Sequence, residues 1–250
     1  MYGNSSDVRD QVLAIGGCHL TGYIVGEEHS FLRNAFEAAG RAGVRYLISK
    51  PVPISRAGEV ARMIAGGSQP DIVIIQLGNY ETGRSLSAAV PSSRTLGMRE
   101  DGLPPPDTQA PMIIPFLKAV LKTGPLLVKW ARKQRHVDVE ALSNGIEKAL
   151  VSMREDFPQA QFLILGTFPD ADFHVMRARR ALNTKLEAMA ERFGIEYLDP
   201  IRELGSPRSA KSGFTKSNFM ADPNHLNLVG HRALGIALSP VIKKLKLRTP

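Results

Sequence analysis

The sequence predicts one three-layer α/β domain with a parallel sheet, and two features of the chain support this fold class. Short apolar runs recur along the chain, and the clearest of them, Ile72 to Leu77, is a largely β-branched stretch that suits burial on both faces of a sheet. Stretches with apolar residues at helical spacing separate these runs. Because strands that alternate with helices favour parallel pairing between two helical layers, we expect that architecture here.

The first half of the chain alternates predicted strands and helices. Its first strand, Val12 to Ile15, ends at Gly16-Gly17, where the backbone can turn without a steric penalty. Glycines also end the predicted helices, because Gly43 follows the first and Gly66-Gly67 follows the second. The predicted elements are strand 12–15, helix 30–42, strand 45–49, helix 56–65 and strand 72–77.

Residues 84–136 interrupt this alternation and are predicted to form an insertion. Ser, Pro and Gly dominate as far as Pro111, which indicates a long irregular loop of the kind that often serves as a lid or binding segment. A basic and apolar helix is predicted at 113–135, with a kink or break at Gly124-Pro125. We favour a lid or a homodimer contact for residues 112–135; the alternative is contact with a membrane surface, against which the break argues.

After the insertion the alternation of strands and helices resumes. No internal repeat and no second domain is visible, so residues 1–250 are interpreted as a single domain with an insertion at about 84–136. The predicted elements are helix 137–155, strand 161–165, helix 175–192, strand 194–199, a loop at 202–221 and helix 227–246.

The composition is typical of a soluble globular protein. The chain has 250 residues, of which 43% are hydrophobic and 22% charged, so it can form a proper core. The N-terminus lacks a basic segment followed by an apolar one, and no apolar run reaches the roughly 18 residues of a membrane-spanning helix. The single cysteine excludes an intrachain disulfide and fits a reducing compartment, so a cytoplasmic location is expected.

The net charge of +8 suggests acidic partners, such as an anionic substrate, a phosphate, a membrane surface or nucleic acid. No helix-turn-helix, zinc finger or aromatic-studded basic sheet accompanies the charge, so nucleic acid binding is not expected and a solvated basic surface is favoured. The histidines lack metal-ligand spacing, and no Walker or dinucleotide fingerprint is present. We therefore expect neither a metal nor another cofactor.

Three groups of residues are candidates for chemistry. Cys18 follows the first strand, where open α/β sheets place active sites, although a lone cysteine there can also be inert and buried. Asp222 supplies a carboxylate that could orient the imidazole of His225. Alternatively, Asp222 caps a turn and His225 simply precedes a helix. Asn79, at a strand end, could donate a hydrogen bond to a developing oxyanion or belong to a simple Gly-Asn turn.

Together these segments resemble the SGNH/GDSL hydrolases. Residues 12–22, which contain Gly17-Cys18 and a later glycine, are similar to the first block of the family, Gly-Asp-Ser followed by a glycine. Residues 74–81 resemble the third block, Gly-x-Asn-Asp, and residues 222–231 match the last, Asp-x-x-His before a helix. The order and spacing of the blocks agree, and the resemblance covers nearly the whole chain outside the insertion.

The resemblance implies a flavodoxin-like five-stranded parallel sheet and a site that hydrolyses or transfers the acyl group of a small or carbohydrate ester. It places Cys18 in the nucleophile's position, His225 in the general base's and Asp222 in the orienting acid's. The backbone amide of Cys18 would be one oxyanion donor. The other residues expected in oxyanion or substrate binding are Asn79, Gly78, Gly17 and Gly58.

The chain departs from the family pattern at several positions. Cysteine stands in place of the serine, which is compatible with acyl chemistry because Cys-His pairs with an orienting residue form working triads. Gly17 replaces the usual aspartate of the first block. Asn79 lies one position before the place of the third-block asparagine, and Gly58 is the only candidate for the second-block glycine. The alternative is therefore a catalytically degenerate protein that binds a ligand or partner without turnover; a third hypothesis is an anionic-membrane or nucleic-acid binder.

Overall fold

The structure, a computed structural model, describes residues 10–41, 43–83, 137–170, 172–204, 219–222 and 225–245. Its strands are β1 (Gln11–Gly16), β2 (Arg45–Ile48), β3 (Ile72–Gln76), β4 (Gln161–Leu165) and β5 (Glu196–Leu198). Its helices are α1 (Phe31–Ala38), α2 (Ala57–Ala65), α3 (Asn79–Gly83), α4 (Val139–Asp156), α5 (Phe173–Phe193), α6 (Pro200–Leu204) and α7 (Leu228–Lys244).

The five strands form one sheet in the order β2-β1-β3-β4-β5, and every neighbouring pair is parallel. In the centre of the sheet, Val12 of β1 lies opposite Tyr46 of β2 and Ile72 of β3. This is the strand order of flavodoxin-like doubly wound sheets, in which the chain reverses its winding direction between β1 and β3. The predicted flavodoxin-like parallel sheet is therefore confirmed.

Two apolar cores cover the two faces of the sheet. Leu13 and Ile15 of β1 belong to the core shared with α2, α4 and α5, whereas Val12 and Ala14 belong to the core shared with α1 and α7. Successive side chains of a strand point to opposite faces, so an uninterrupted apolar strand is the expected solution between two helical layers. The predicted three-layer α/β sandwich is confirmed.

Several element boundaries differ from the sequence-based expectations for local reasons. Helix α1 ends at Ala38 rather than residue 42, because Gly40 adopts a left-handed φ of 79° that closes the helix. Helix α5 begins earlier than expected, at Phe173, because the Asp172 side chain accepts hydrogen bonds from the amides of His174 and Val175. Helix α6 occupies the start of the predicted loop at 202–221.

The predicted insertion at about 84–136 lies outside the described residues. Its basic helix at 113–135, and the lid, dimer and membrane contacts considered for residues 112–135, therefore remain predictions. Among the helices that are described, none is long and apolar enough to span a bilayer.

A buried histidine ties α7 to the start of α1. The side chain of His231 in α7 is 0% exposed, and its Nδ1 accepts a 3.1 Å hydrogen bond from the backbone N–H of Phe31. That N–H belongs to the first turn of α1 and has no partner within its own helix. Burial, aided by the neighbouring His225, lowers the pKa of His231 to about 4.

This histidine should make the fold less stable in mild acid. As the pH falls from about 6.5 towards 4, the unfolded chain takes up a proton at His231 that the folded chain does not, which costs roughly 3 kcal/mol in total. In the variant His231→Asn the side-chain oxygen can still accept from Phe31 but does not titrate. We expect the free energy of unfolding, measured with urea across this range, to fall more steeply for the wild type. Parallel pH profiles would contradict this assignment.

Candidate active site

The carboxyl ends of β1, β3 and β4 bring the candidate residues to one edge of the sheet. Because all strands are parallel, the segments that follow them leave at the same edge, and the chain reverses winding between β1 and β3. Cys18 follows β1, Asn79 follows β3, and Phe168 follows β4. His225 lies just before α7, where an antiparallel bridge between Met220 and Leu226 holds the chain.

Two glycines and a glutamine shape the turn after β1. A Cβ on Gly16 would lie 2.1 Å from the carbonyl oxygen of Gln76, so only glycine allows β1 and β3 to approach this closely. The backbone N–H of Gly17 donates to Oε1 of Gln76 at 3.1 Å. The Gly17 amide, which was expected near the oxyanion, is therefore already bonded, and its partner Gln76 was not anticipated from the sequence.

Cys18 starts a compact turn that is closed by hydrogen bonds to its backbone carbonyl. Its carbonyl oxygen accepts from the amide of Tyr23 at 3.2 Å and from the hydroxyl of Thr21 at 2.8 Å. The residue as a whole is partly exposed. Burial raises the pKa of Cys18, and the charge of Asp222 adds to that rise, while nearby backbone N–H groups and the charge of Arg179 oppose it. The charges of Asp222 and Arg179 therefore shift the pKa of the thiol in opposite directions.

Asp222 and His225 form a carboxylate–imidazole pair. Oδ2 of Asp222 lies 2.7 Å from Nδ1 of His225, and Oδ1 also accepts from the backbone N–H of His225 at 2.8 Å. A carboxylate at this position is satisfied by a proton on Nδ1, which leaves Nε2 as the basic nitrogen. The predicted partnership of these residues is thus present in the geometry, and the backbone bond fixes the carboxylate as well as the ring.

The turn that holds Cys18 lies against His225. The ring of Tyr23 is 4.5 Å from the imidazole of His225, and the ring of His19 is 5.5 Å from it, measured between centroids. His19 is itself buried and stacks on Phe168 at 4.0 Å. The first and last motifs are therefore neighbours, although no hydrogen bond between the sulfur of Cys18 and His225 is formed among the described residues.

Asn79 presents an unpaired amide at the start of α3. Its Oδ1 accepts from the backbone N–H of Phe168 at 2.9 Å, which fixes the direction of the amide plane. Its Nδ2 is buried and has no partner among the described residues. An unpaired buried donor costs on the order of 1–3 kcal/mol, so such a group points to a ligand atom that completes it.

Gly78 and Gly58 have packing roles in the structure. Gly78 has a φ of 96°, and a Cβ there would lie 2.6 Å from Leu182, so glycine lets the chain turn from β3 into α3. Gly58 lies inside α2, where a Cβ would meet the hydroxyl of Ser152 in α4 at 3.2 Å. The structure shows helix packing for Gly58, and its part in oxyanion binding stays a prediction.

The segment between β2 and α2, where the second-block glycine was expected, also has bonded amides. The amide of Val52 donates to the carbonyl of Gly16 at 3.1 Å, and the amide of Ile54 donates to the carboxylate of Glu81 at 2.8 Å. These two N–H groups are therefore engaged in holding the edge of the sheet together. Among the described residues there is also no cluster of three or more histidine, cysteine or acidic side chains that could hold a metal ion.

A buried arginine near this edge was missed by sequence reasoning. Arg179 of α5 is 2% exposed, and its guanidinium bonds to Thr82, to the carbonyl of Asn79 and to the loop after β4. The signal that could have found it is a cation and an amide, Arg179 and Asn183, four residues apart on the apolar face of a helix.

Comparisons with known proteins support the fold. No family model and no curated protein sequence matches the chain. Solved structures that are similar to it include two esterases and a lipolytic protein. A member of the lipolytic protein G-D-S-L family from Veillonella parvula has a TM-score of 0.58 at 13% identity, covering 94% of this chain and 99% of that one. A carbohydrate acetylesterase from Sinorhizobium meliloti has a TM-score of 0.60 at 14% identity, covering 95% and 100%.

The third similar structure is a catalytic mutant of an acetylxylan esterase from Geobacillus stearothermophilus, with a TM-score of 0.58 at 12% identity over 96% of this chain and 97% of that one. At such low identity the likeness concerns the fold. The chain therefore has the α/β fold found in G-D-S-L lipolytic proteins and acetylesterases.

Proposed function

We propose that this protein is an acyl-ester hydrolase or acyltransferase that acts through a Cys18–His225–Asp222 triad. The single observation that supports it most is the carboxylate–imidazole pair of Asp222 and His225, at 2.7 Å, beside the turn that begins at Cys18. A nucleophile, a base and a residue that orients the base are the parts that acyl transfer requires.

The proposed reaction has two balanced steps. Nε2 of His225 takes the thiol proton as the sulfur of Cys18 attacks the acyl carbonyl, and the oxygen that becomes negative is held by Nδ2 of Asn79 and the backbone N–H of Cys18. The carbon–oxygen bond to the alcohol then breaks, and the alcohol leaves with the proton from the imidazolium. Water, or another alcohol or amine, then attacks the carbonyl of the resulting thioester while His225 takes its proton. The carbon–sulfur bond breaks, the sulfur of Cys18 takes the proton back, and the acyl group is released.

The electrostatics of Cys18 make the base essential in this mechanism. Burial raises the pKa of the thiol, so at neutral pH the sulfur carries its proton before substrate arrives. His225 must therefore remove that proton during attack, as the histidine of a serine triad does, and does not act on a preformed thiolate. A substantial dependence of the rate on His225 and Asp222 follows.

Acetyl esters of carbohydrates are the substrates to test first. Two of the similar structures are described as a carbohydrate acetylesterase and an acetylxylan esterase, and both match nearly the whole of this chain. A small acyl group suits a cysteine that is only partly exposed. We propose a small or carbohydrate acyl ester as the substrate class.

Binding without turnover is the second candidate function, and specific contacts favour it. Within the described residues the thiol of Cys18 has no hydrogen bond to His225, and the amides of Gly17 and Ile54 are already engaged by side chains. A site whose unpaired donors are buried side-chain amides, such as that of Asn79, could hold an ester or a carbohydrate without stabilising the transition state fully.

Steady-state rates on acetyl esters separate the two functions. We expect the wild type to hydrolyse p-nitrophenyl acetate and an acetylated xylo-oligosaccharide, and His225→Ala and Asp222→Asn to lower kcat by roughly 100-fold or more. His29→Ala is the matched control, because its imidazole is 54% exposed and its acidic partner is Glu28 rather than Asp222. If neither the wild type nor His225→Ala hydrolyses these esters above the uncatalysed rate while carbohydrate still binds, the protein is a binder and the catalytic proposal is wrong.

A further inference from the structure

A buried guanidinium connects the segments that follow β3 and β4. Nε of Arg179 donates to Oγ1 of Thr82 at 3.1 Å, and Nη2 donates to the carbonyl of Asn79 at 3.2 Å. Nη1 donates to the carbonyls of Phe168 at 3.0 Å and Pro169 at 3.1 Å. One side chain thus bonds to four groups, in the fork-shaped arrangement that a lysine ammonium cannot reproduce.

These bonds fix both ends of the contact that orients the Asn79 amide. Oδ1 of Asn79 accepts from the N–H of Phe168, and Arg179 bonds to the carbonyls of the same two residues. Rotation of the Asn79 amide would break its bond to the N–H of Phe168, and Arg179 helps to fix the backbone of both residues. Arg179 holds the proposed oxyanion donor in direction as well as in place.

The same guanidinium acts on Cys18. Its charge lowers the pKa of the thiol, in opposition to burial and to the carboxylate of Asp222. The contact route is short, because Phe168, whose carbonyl bonds to Arg179, stacks on His19, the residue next to Cys18. Phe168 and His19 thus lie between the guanidinium and Cys18 along this route.

The buried counter-ion of Arg179 is Asp170. Oδ2 of Asp170 lies 3.2 Å from Nη1 of Arg179, and both side chains are largely buried. Burial raises the pKa of Asp170, while the charge of Arg179 opposes that rise. Within the described residues, the charged or titratable groups around Cys18 are thus Arg179, Asp222, His19, Tyr23 and His225, with Asp170 behind Arg179.

We propose that Arg179 is a positioning residue of the candidate site, which fixes the Asn79 amide and supplies the positive charge that favours the ionised sulfur of Cys18. This rests on the proposed function, in which both groups act on the same carbonyl. Burying a charged pair is costly, and replacement by apolar residues is often neutral for stability, so a role at the adjacent site accounts for its presence.

Alkylation of Cys18 tests the electrostatic part directly. Cys18 is the only cysteine in the chain, so the rate of reaction with iodoacetamide across pH reports its ionisation alone. We expect Arg179→Met to raise the midpoint of that profile by about one pH unit, and Asp170→Asn to lower it, because it removes the charge that opposes Arg179. Arg179→Lys keeps the positive charge, so its midpoint should stay closer to that of the wild type. Its kcat should fall, because lysine cannot make the bonds that position Asn79.

The control is Asn183→Ala, which removes another buried polar side chain from the same helix. Asn183 bonds to Thr167 and Asp199 rather than to Asn79, so its loss should leave the midpoint unchanged. An unshifted midpoint in folded Arg179→Met, or an upward shift in Asp170→Asn, would overturn the proposal. If Arg179→Met does not fold, the direction of the Asp170→Asn shift decides alone.

Alkylation needs no acyl substrate, so the two proposals fail separately. Shifted midpoints in a protein without esterase activity would refute the proposed function and support the role of Arg179. Normal turnover with unshifted midpoints would refute the role of Arg179 and leave the proposed function standing.

Discussion

Replacing Cys18 with alanine should lower ester turnover by roughly 10,000-fold or more without unfolding the protein. The proposed mechanism has no other nucleophile, and loss of one triad member generally removes most of the catalysis that the triad supplies. Stability should change little, because Cys18 is not fully buried and the turn is held by the backbone carbonyl of residue 18. The measurement is kcat together with thermal unfolding.

Cys18→Ser is the informative companion variant. It should retain measurable activity, because His225 is placed to activate a hydroxyl as it does a thiol, but less than the wild type, since serine depends more on the base. Turnover by Cys18→Ala at the wild-type rate would remove Cys18 from the mechanism and with it the triad assignment.

Replacing Asn79 with alanine should lower kcat by about 100- to 1,000-fold, the usual effect of losing one side-chain oxyanion donor. The physical reason is that the amide Nδ2 is buried and unpaired among the described residues, and the proposed mechanism gives it the developing oxyanion as its partner. KM should change less than kcat, because the contact strengthens as charge develops on the oxygen. Initial rates on an acetyl ester check both parameters.

Tyr80 supplies the matched control for Asn79. An ungapped alignment with the family's third block places the asparagine of that block on Tyr80, whereas the structure shows Tyr80 52% exposed and Asn79 bonded to Phe168. Tyr80→Ala should therefore lower kcat far less than Asn79→Ala. The reverse order of effects would mean that the ungapped alignment describes the site correctly.

Much of the fold followed from local patterns. The β3 run is buried at every position from Ile72 to Gln76, as its continuous apolar character predicted. The strand order came from the family resemblance, because periodicity alone does not say which strands are neighbours. The predicted end of α1 was wrong, because the prediction assigned the end of the helix to Gly43. The positive φ of Gly40, which ends it earlier, is a property of the folded turn.

The candidate site was predictable only where its residues lie in ordered motifs. Asp222 and His225 are three residues apart, so their pairing could be inferred from sequence, and Cys18 was found by its place after a strand. The bond from Arg179 to Thr82 joins residues 97 apart, and that from Gly17 to Gln76 joins residues 59 apart. Contacts of this kind depend on the packing of α5 and β3, which no local pattern encodes.

Intact-mass analysis after brief exposure to an activated acetyl ester tests most directly whether Cys18 is a working nucleophile. The wild type should gain one acetyl group that then decays, His225→Ala should gain it more slowly, and Cys18→Ala should gain none. Decay in water supports hydrolysis, and faster decay with an added alcohol supports transfer. If folded, reduced wild type forms no adduct that depends on Cys18, the thiol is not the nucleophile, and binding without turnover becomes the better description of this protein.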